Sequence, residues 1–144
     1  MINMKDATDC IFCDIIKGKG DAAIVYSDES FIAFMDHRPI TKGHTLVLPK
    51  KHYYTILDMP LSEVGELFTV VVKIARAVKD AMRADGFNLG QNNGRAASQV
   101  IPHVHVHIIP RYIDGGFDRF SRKLVALEEL RKDAEIIARE ISKK

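Results

Sequence analysis

The sequence predicts an α+β fold, in which an antiparallel sheet of about five strands is covered by one long helix and a C-terminal helix. Two observations support this prediction. Short segments rich in β-branched and aromatic residues arrive in neighbouring pairs, and residues 61–84 change to a helical period. Closely spaced strands favour antiparallel pairing with the helices on one side of the sheet. We expect one domain over residues 1–144, with a core at about 10–112 and a C-terminal extension at 113–144.

The first three predicted strands lie in the N-terminal third of the chain. Residues 24–26 and 31–35 flank a polar turn at 27–30, which favours a hairpin. A third strand at 45–48 is expected to stop at Pro49, since proline cannot donate a backbone hydrogen bond.

The long predicted helix is followed by two more strands and a last helix. Residues 61–84 carry one apolar stripe, formed by Val64, Leu67, Val71, Ile74, Val78 and Met82. Asp85-Gly86 is expected to end this helix, because glycine accepts the left-handed conformation. Strands are predicted at 87–91 and from 103 to 109, where Pro110 should end the strand, and a loop at 115–116 precedes a helix at 122–141.

Composition narrows the class of protein. The net charge of +2 is nearly balanced and gives no argument for a nucleic-acid partner. No apolar run is long enough to cross a bilayer, and the N-terminal residues show no signal-peptide centre. We therefore expect a soluble, cytoplasmic protein with no membrane partner.

Three histidines alternate with apolar residues in the last predicted strand. Because successive side chains of a strand point to opposite faces, His103, His105 and His107 are expected to share one face. They could be a polar face without function, three ligands of a catalytic metal, or a nucleophilic centre. In the third case two flanking rings would orient the middle one, so His105 becomes the expected nucleophile.

Cys10 and Cys13 form a Cys-x-x-Cys pair in a chain that has two cysteines. Two cysteines cannot cross-link a domain of this length, so the pair indicates either half of a metal site or a redox dithiol.

Two blocks of sequence resemble the histidine-triad (HIT) superfamily. One runs from Asn92 through Ser98 and Pro102 into the histidine segment, and the other joins the Cys-x-x-Cys pair, Asp36 and residues 42–52. The resemblance spans about residues 10–112 and is nearest to the zinc-containing bacterial and archaeal branch. It implies a HIT-like fold and a hydrolase that cleaves nucleoside phosphoramidates or dinucleoside polyphosphates. It also implies a homodimer, often formed across the long helix and the fourth strand, and a purine nucleotide substrate, with adenine expected.

The resemblance also assigns roles to individual residues. His105 would attack the α-phosphorus to form a nucleotidyl-histidine, with His107 near the phosphate oxygens and His44 assisting. Gln99 and Asn92 would contact the phosphate region, and Asp36 would accept the two ribose hydroxyls. The apolar residues expected to sandwich the base are Ile11, Phe12, Ile15 and Phe34.

The same resemblance implies a structural zinc ion and no catalytic metal. The expected ligands are Cys10, Cys13, His52 and His103, and a closed set of four suits a structural site. A redox dithiol remains the alternative for the two cysteines.

Two positions depart from the family pattern. Ser98 stands where glycine is usual, and Val100 stands where serine or threonine often donates a hydrogen bond. A nucleotide-binding regulatory module with little turnover, and a metallohydrolase built on the triad, are the alternative functions.

Overall fold

In the computed structural model, residues 9–115 and 122–143 are described. Helices α1, α2 and α3 span Ile11–Ile16, Leu61–Ala81 and Leu127–Ser142. Strands β1 to β5 span Ile24–Ser27, Phe31–Met35, Thr45–Pro49, Gly86–Gly90 and Val106–Arg111. Among these residues, no helix is long and apolar enough to cross a membrane.

The five strands form one antiparallel sheet in the order β1-β2-β3-β5-β4. The predicted α+β class is therefore confirmed. β1 and β2 form the expected hairpin, and β5 lies between β3 and β4, so the histidine strand is central. β3 includes Pro49 as its last residue, and β4 begins one residue before the predicted start.

The sheet buries a different apolar cluster on each face. Toward α2 and α3 it presents Phe31, Ala33 and Met35 of β2, which alternate with Ile32 and Phe34 on the other face. That second face packs against α1, a short helix that the sequence did not clearly predict. The expectation of helices on one side only is therefore wrong.

The end of α2 differs from the prediction that Gly86 supplies the left-handed residue. Arg83 takes that conformation with φ 53°, and the backbone N–H of Ala84 bonds the carbonyl of Lys79 at 3.0 Å. This is the Schellman arrangement, which satisfies the last helical carbonyls. Gly86 is instead the first residue of β4, so the helix ends at Ala81 rather than near residue 84.

β5 begins and ends later than predicted. It starts at Val106 rather than His103 and continues through Pro110 to Arg111. Proline has no backbone N–H, but this does not end β5 at Pro110. β3 pairs with β5 only as far as Ile108, so beyond that residue β5 has β4 as its one neighbouring strand among those described. Residues 103–105 keep the alternation all the same, since Val104 and Val106 both lie in the α2-side cluster.

The C-terminal helix begins at Leu127, five residues after its predicted start. Its Leu130, Ala134 and Ile137 are buried in the α2-side cluster, as a core-covering helix requires. Leu124, which belonged to the predicted helical stripe, precedes the helix and is 65% exposed. Residues 122–126 thus precede α3 without helical structure, and Gly116 of the predicted loop lies outside the described residues.

Candidate active site

A cavity of about 630 Å³ lies between α1, the central strands and the start of α3. This volume is in the range of small-molecule sites. The cavity contains all four residues predicted to sandwich a base, together with four predicted polar site residues. These lining residues are Ile11, Phe12, Ile15, Phe34, Asp36, Asn92, His105 and His107.

The apolar end of the cavity is built by α1 against β2. The Phe12 and Phe34 rings meet edge to face with centroids 5.4 Å apart, and Phe12 also contacts the His105 ring at 5.1 Å. Ile11 is 48% exposed and lines the cavity. An apolar wall next to a histidine is thus available to a flat hydrophobic group.

The geometry of His105 fixes its tautomer. Its Nδ1 lies 2.6 Å from the carbonyl oxygen of His103, so Nδ1 carries the hydrogen and donates it. Burial lowers the pKa of His105, whose side chain is nearly enclosed, so the ring is neutral at pH 7. The lone pair on Nε2 is then free, which is the form that a nucleophile needs.

His44 and His107 form a relay beside it. The backbone N–H of Ile40 donates to His44 Nδ1 at 3.0 Å, which leaves the hydrogen of neutral His44 on Nε2. That nitrogen lies 2.9 Å from His107 Nδ1 and donates to it, so neutral His107 carries its own hydrogen on Nε2. Burial lowers the pKa of both rings, that of His107 to about 4. His107 is therefore a neutral hydrogen-bond donor at the cavity wall.

Asp36 lies at the end of β2 and is 6% exposed. One carboxylate oxygen accepts the backbone N–H of Arg38 at 2.9 Å, and the other accepts Nη2 of Arg122 at 2.9 Å. His44 Nε2 is 3.5 Å from the second oxygen. The predicted ribose acceptor is thus in the cavity, and a basic residue of the C-terminal segment is already bound to it.

The loop before the histidines contains the two predicted phosphate contacts in different settings. Asn92 lines the cavity. Gln99 is buried, and its amide bonds the carbonyls of Tyr54 at 2.7 Å and Ile101 at 3.1 Å. In the described part of the chain Gln99 does not line the cavity, so its direct phosphate contact stays a prediction.

Both departures from the family pattern lie in the same loop. Ser98 has φ 68°, a left-handed conformation that glycine adopts freely and that costs other residues roughly 1 kcal/mol. Val100 is 83% exposed and lines the cavity rim, where its side chain offers no hydrogen-bond donor.

The four predicted metal ligands converge on the other side of His105. Cys10 Sγ lies 3.4 Å from His103 Nδ1, and Cys13 Sγ lies 3.4 Å from His52 Nδ1 and 3.6 Å from His103 Nδ1. Tetrahedral zinc bonded to sulfur and nitrogen holds its ligand atoms roughly 3.3 to 3.8 Å apart. His103 Nε2 donates to the carbonyl of Pro49 at 2.7 Å, which leaves the Nδ1 lone pair facing the thiols. The donor set therefore fits zinc.

This geometry disfavours the two alternatives for these residues. Both thiols face imidazole nitrogens, Cys10 that of His103 and Cys13 those of His52 and His103, which is the arrangement of a metal site rather than of a redox dithiol. The three triad histidines do not converge on one point, because both nitrogens of His103 are directed to the cysteines and to Pro49. A second group with ligand-type atoms, Asp36, His44 and His107, is joined by the relay hydrogen and faces the guanidinium of Arg122.

The sequence reasoning missed Arg122, which lines the cavity and bonds Asp36. The two residues are 86 positions apart, and no periodic or motif signal connects them. The sequence predicted His44 as a site residue but not its backbone partner Ile40, whose N–H sets the tautomer of the His44 ring.

Comparisons with known proteins identify relatives of this chain. The sequence model of the HIT domain family matches residues 17–114 of this chain. An uncharacterised HIT-like protein of Methanocaldococcus jannaschii is 47% identical over 126 residues, covering 86% of this chain and 97% of that protein. An adenylylsulfatase of Arabidopsis thaliana is 44% identical over 72% of this chain and 52% of its own length. An adenosine 5'-monophosphoramidase of Candida albicans is 35% identical over 75% of this chain and 74% of its own length.

Two solved structures are similar over nearly the whole length. A hypothetical histidine triad nucleotide-binding protein of Sulfolobus tokodaii has a TM-score of 0.86 at 40% identity, and the match covers 93% of each chain. A zinc-bound histidine triad family protein of Mycobacterium smegmatis has a TM-score of 0.83 at 33% identity and covers 96% of each chain.

Proposed function

The chain belongs to the HIT family, and on that basis we propose that it hydrolyses nucleoside phosphoramidates or dinucleoside polyphosphates through a nucleotidyl-His105 intermediate. Relatives named as an adenylylsulfatase and an adenosine 5'-monophosphoramidase support nucleotide hydrolysis in general. The observation that carries the proposal is the tautomer of His105. The carbonyl of His103 holds its Nδ1 hydrogen, and the free Nε2 belongs to a ring that lines the cavity.

In the first step, the Nε2 lone pair of His105 attacks the α-phosphorus and forms a nitrogen–phosphorus bond. The bond from phosphorus to the leaving nitrogen or oxygen breaks, and the leaving group departs with the electron pair and takes up a proton from water. The phosphorylated imidazole is cationic. Its Nδ1–H bond to the His103 carbonyl, 2.6 Å long, stabilises this positive charge.

In the second step, water attacks the same phosphorus and releases the nucleoside monophosphate. The electrons of the nitrogen–phosphorus bond return to His105 Nε2, and the proton of the water goes to solvent. His107 supports both steps, because its Nε2–H is positioned by the relay to donate to a phosphate oxygen. Asn92 lies on the same cavity wall and supplies a further amide donor.

Substrate binding uses the remainder of the cavity. We assign the base to the apolar end formed by Ile11, Phe12, Ile15 and Phe34, and the ribose hydroxyls to Asp36. The apolar walls suit a purine, with adenine the expected base.

Zinc held by Cys10, Cys13, His52 and His103 supplies a structural constraint when bound. His103 is the residue that connects this cluster to the reaction. Its side chain faces the thiols, and its carbonyl orients His105.

We also propose that the protein is a cytoplasmic homodimer, with the partner on α2 and β4. β4 is an edge strand of the sheet. Val72 on α2 is 53% exposed, and Phe87 and Leu89 on β4 are 39% and 44% exposed. Light scattering of the native chain and of Val72→Glu tests this, because a charge in an apolar interface should shift the mass toward the monomer.

The test of the hydrolase is release of AMP from an adenosine phosphoramidate and from diadenosine polyphosphates, with His105→Ala measured beside the native chain. We expect release by the native chain and a loss of at least about 1000-fold in the variant, with AMP affinity retained. Equal turnover by His105→Ala would exclude the covalent step. AMP binding without turnover by either protein would favour the regulatory binding module.

A further inference from the structure

Three hydrogen bonds join the segment before α3, residues 122–126, to the residues that directly follow β2. Arg122 Nη2 lies 2.9 Å from Asp36 Oδ2, and Arg122 Nε donates to the carbonyl of Arg38 at 2.9 Å. The backbone N–H of Val125 donates to the carbonyl of His37 at 2.9 Å. Arg122 lies beyond residues 17–114, the part of the chain that matches the HIT domain. The C-terminal extension therefore supplies a side chain to the cavity.

The guanidinium of Arg122 compensates the negative charge of the buried Asp36 carboxylate. Asp36 is 6% exposed, and the burial of a carboxylate is costly unless hydrogen bonds and an opposite charge compensate it. The neighbouring rings of His44 and His107 are neutral, so they do not balance its charge. Arg122 is permanently charged and makes a charge-assisted hydrogen bond to the carboxylate.

The side chain of Arg122 and the backbone N–H of Arg38 together orient the carboxylate. Each carboxylate oxygen has about two acceptor sites. On Oδ1 one site accepts Arg38 N–H, and on Oδ2 one site accepts Arg122. The hydrogen of His44 Nε2 is directed to His107, so it does not take the second site on Oδ2. Within residues 9–115 and 122–143, one acceptor site on each oxygen is left, which matches two vicinal hydroxyl donors.

We propose that Arg122 is a specificity-determining positioning residue, which makes the site select ribonucleotides over 2′-deoxyribonucleotides by holding the Asp36 carboxylate oriented toward both ribose hydroxyls. This inference rests on the proposed nucleotide site. The side chain is 47% exposed, so its removal does not open the core. Its effect is expected in substrate choice rather than in folding.

The experiment compares kcat/KM for an adenosine phosphoramidate and its 2′-deoxy analogue, and the affinities of AMP and dAMP by calorimetry. We expect the native chain to prefer the ribonucleotide about tenfold or more, the effect of one hydrogen bond to a charged acceptor. Arg122→Met should reduce that ratio to below about threefold, mainly because binding of the ribonucleotide becomes weaker. Asp36→Asn should have the same effect. Arg122→Lys retains the charge without the planar fork and should fall between the two.

Lys123→Met is the matched control, since it removes one positive charge from the adjacent exposed position. It should leave the ratio at the native value. A native ratio near one, or an unchanged ratio in Arg122→Met with a normal thermal midpoint, would overturn the inference.

The calorimetric readout separates this inference from the proposed hydrolysis. If AMP is preferred over dAMP through Arg122 and no substrate is cleaved, the inference holds and the proposed hydrolysis fails. If the native chain cleaves the substrates and Arg122→Met prefers the ribonucleotide as strongly as the native chain does, the hydrolysis holds and the inference fails.

Discussion

Two buried clusters containing histidine lie on either side of His105, and they use the same side chain for different purposes. In the ligand cluster (Cys10, Cys13, His52 and His103), ring nitrogens face sulfur atoms at 3.4 to 3.6 Å. In the relay cluster (Asp36, His44 and His107), two ring nitrogens lie 2.9 Å apart with one hydrogen between them. The first spacing leaves room for an ion between lone pairs, whereas the second is a hydrogen bond.

The difference arises from the partner of the second ring nitrogen. His103 donates through Nε2 to the Pro49 carbonyl, so its Nδ1 lone pair is available to a metal. His44 accepts through Nδ1 from Ile40 N–H, so its Nε2 becomes a donor toward His107. Two backbone groups thus decide which histidine presents a lone pair suited to a cation and which one donates a hydrogen bond to the neighbouring ring.

The largest expected effect is the loss of zinc from the ligand cluster. Cys13→Ser should abolish stoichiometric zinc and lower the free energy of unfolding by about 4 kcal/mol or more when free zinc exceeds Kd a thousandfold. Metal analysis and thermal unfolding, with and without a chelator, measure both effects. His44→Asn is the control, because it should retain one zinc per chain. A native chain without zinc, or with a midpoint insensitive to chelation, would contradict this assignment.

Removal of His107 should affect catalysis and leave the ligand cluster intact. His107→Ala deletes the donor proposed for the phosphate oxygens, and we expect kcat to fall about 100- to 1000-fold. Zinc content should stay at the native value. Steady-state kinetics and metal analysis of the same preparation check both points. A variant with native kcat would show that the relay does not reach the substrate.

Stability should depend on pH through the relay cluster. The folded pKa values of His44 and His107 are lowered by burial, against about 6.5 when unfolded. Asp36 opposes the shift of His44, while Arg122 and Arg111 reinforce it. Below pH 6.5 the unfolded chain therefore binds more protons, and stability should be lost as the pH falls toward 4, by up to about 1.4 kcal/mol per pH unit for each histidine.

Urea unfolding at pH 7.5 and pH 5 measures this dependence. In His44→Asn one titrating group is absent, so the decline between the two pH values should be smaller. A decline equal to that of the native chain would assign the pH dependence to other groups.

The smallest effect is expected from removing the hydrogen bond between His44 and His107. His44→Leu removes the donor to His107 Nδ1 and should lower kcat about tenfold, the value of one hydrogen bond. His44→Gln places an amide donor near the position of the His44 Nε2, so it should recover part of the loss. If both variants lost activity equally, with normal zinc content, the role of His44 would be packing rather than transmission.

Sequence patterns predicted those features that depend on neighbours in the chain. Alternation around His105 placed Val104 and Val106 in the core, and the stripe of α2 buried Leu67 and Ile74 as expected. The helix end was predicted wrongly, because Arg83 accepted the left-handed conformation expected of Gly86. Conformational propensity favours glycine in the left-handed region, but the hydrogen bonds of the helix end are completed around Arg83, three residues before Gly86.

The site was predictable where motifs carried it and unpredictable where distant segments met. Resemblance supplied Asp36 and His107, which do line one cavity. Arg122 reaches Asp36 from 86 residues away, and a single arginine in a polar stretch gives no pattern to detect. The orientation of Gln99 also depends on the carbonyl of Tyr54, which only the folded chain brings within reach.

The covalent intermediate is the central claim, and trapping it is the most direct test. A substrate labelled in the adenylyl group is mixed with the native chain, quenched in base within one turnover, and digested for mass spectrometry. We predict an acid-labile adenylyl group on the peptide that contains His105, absent from His105→Ala. Turnover by the native chain with no adduct, or with an adduct on another residue, would contradict nucleophilic attack by His105.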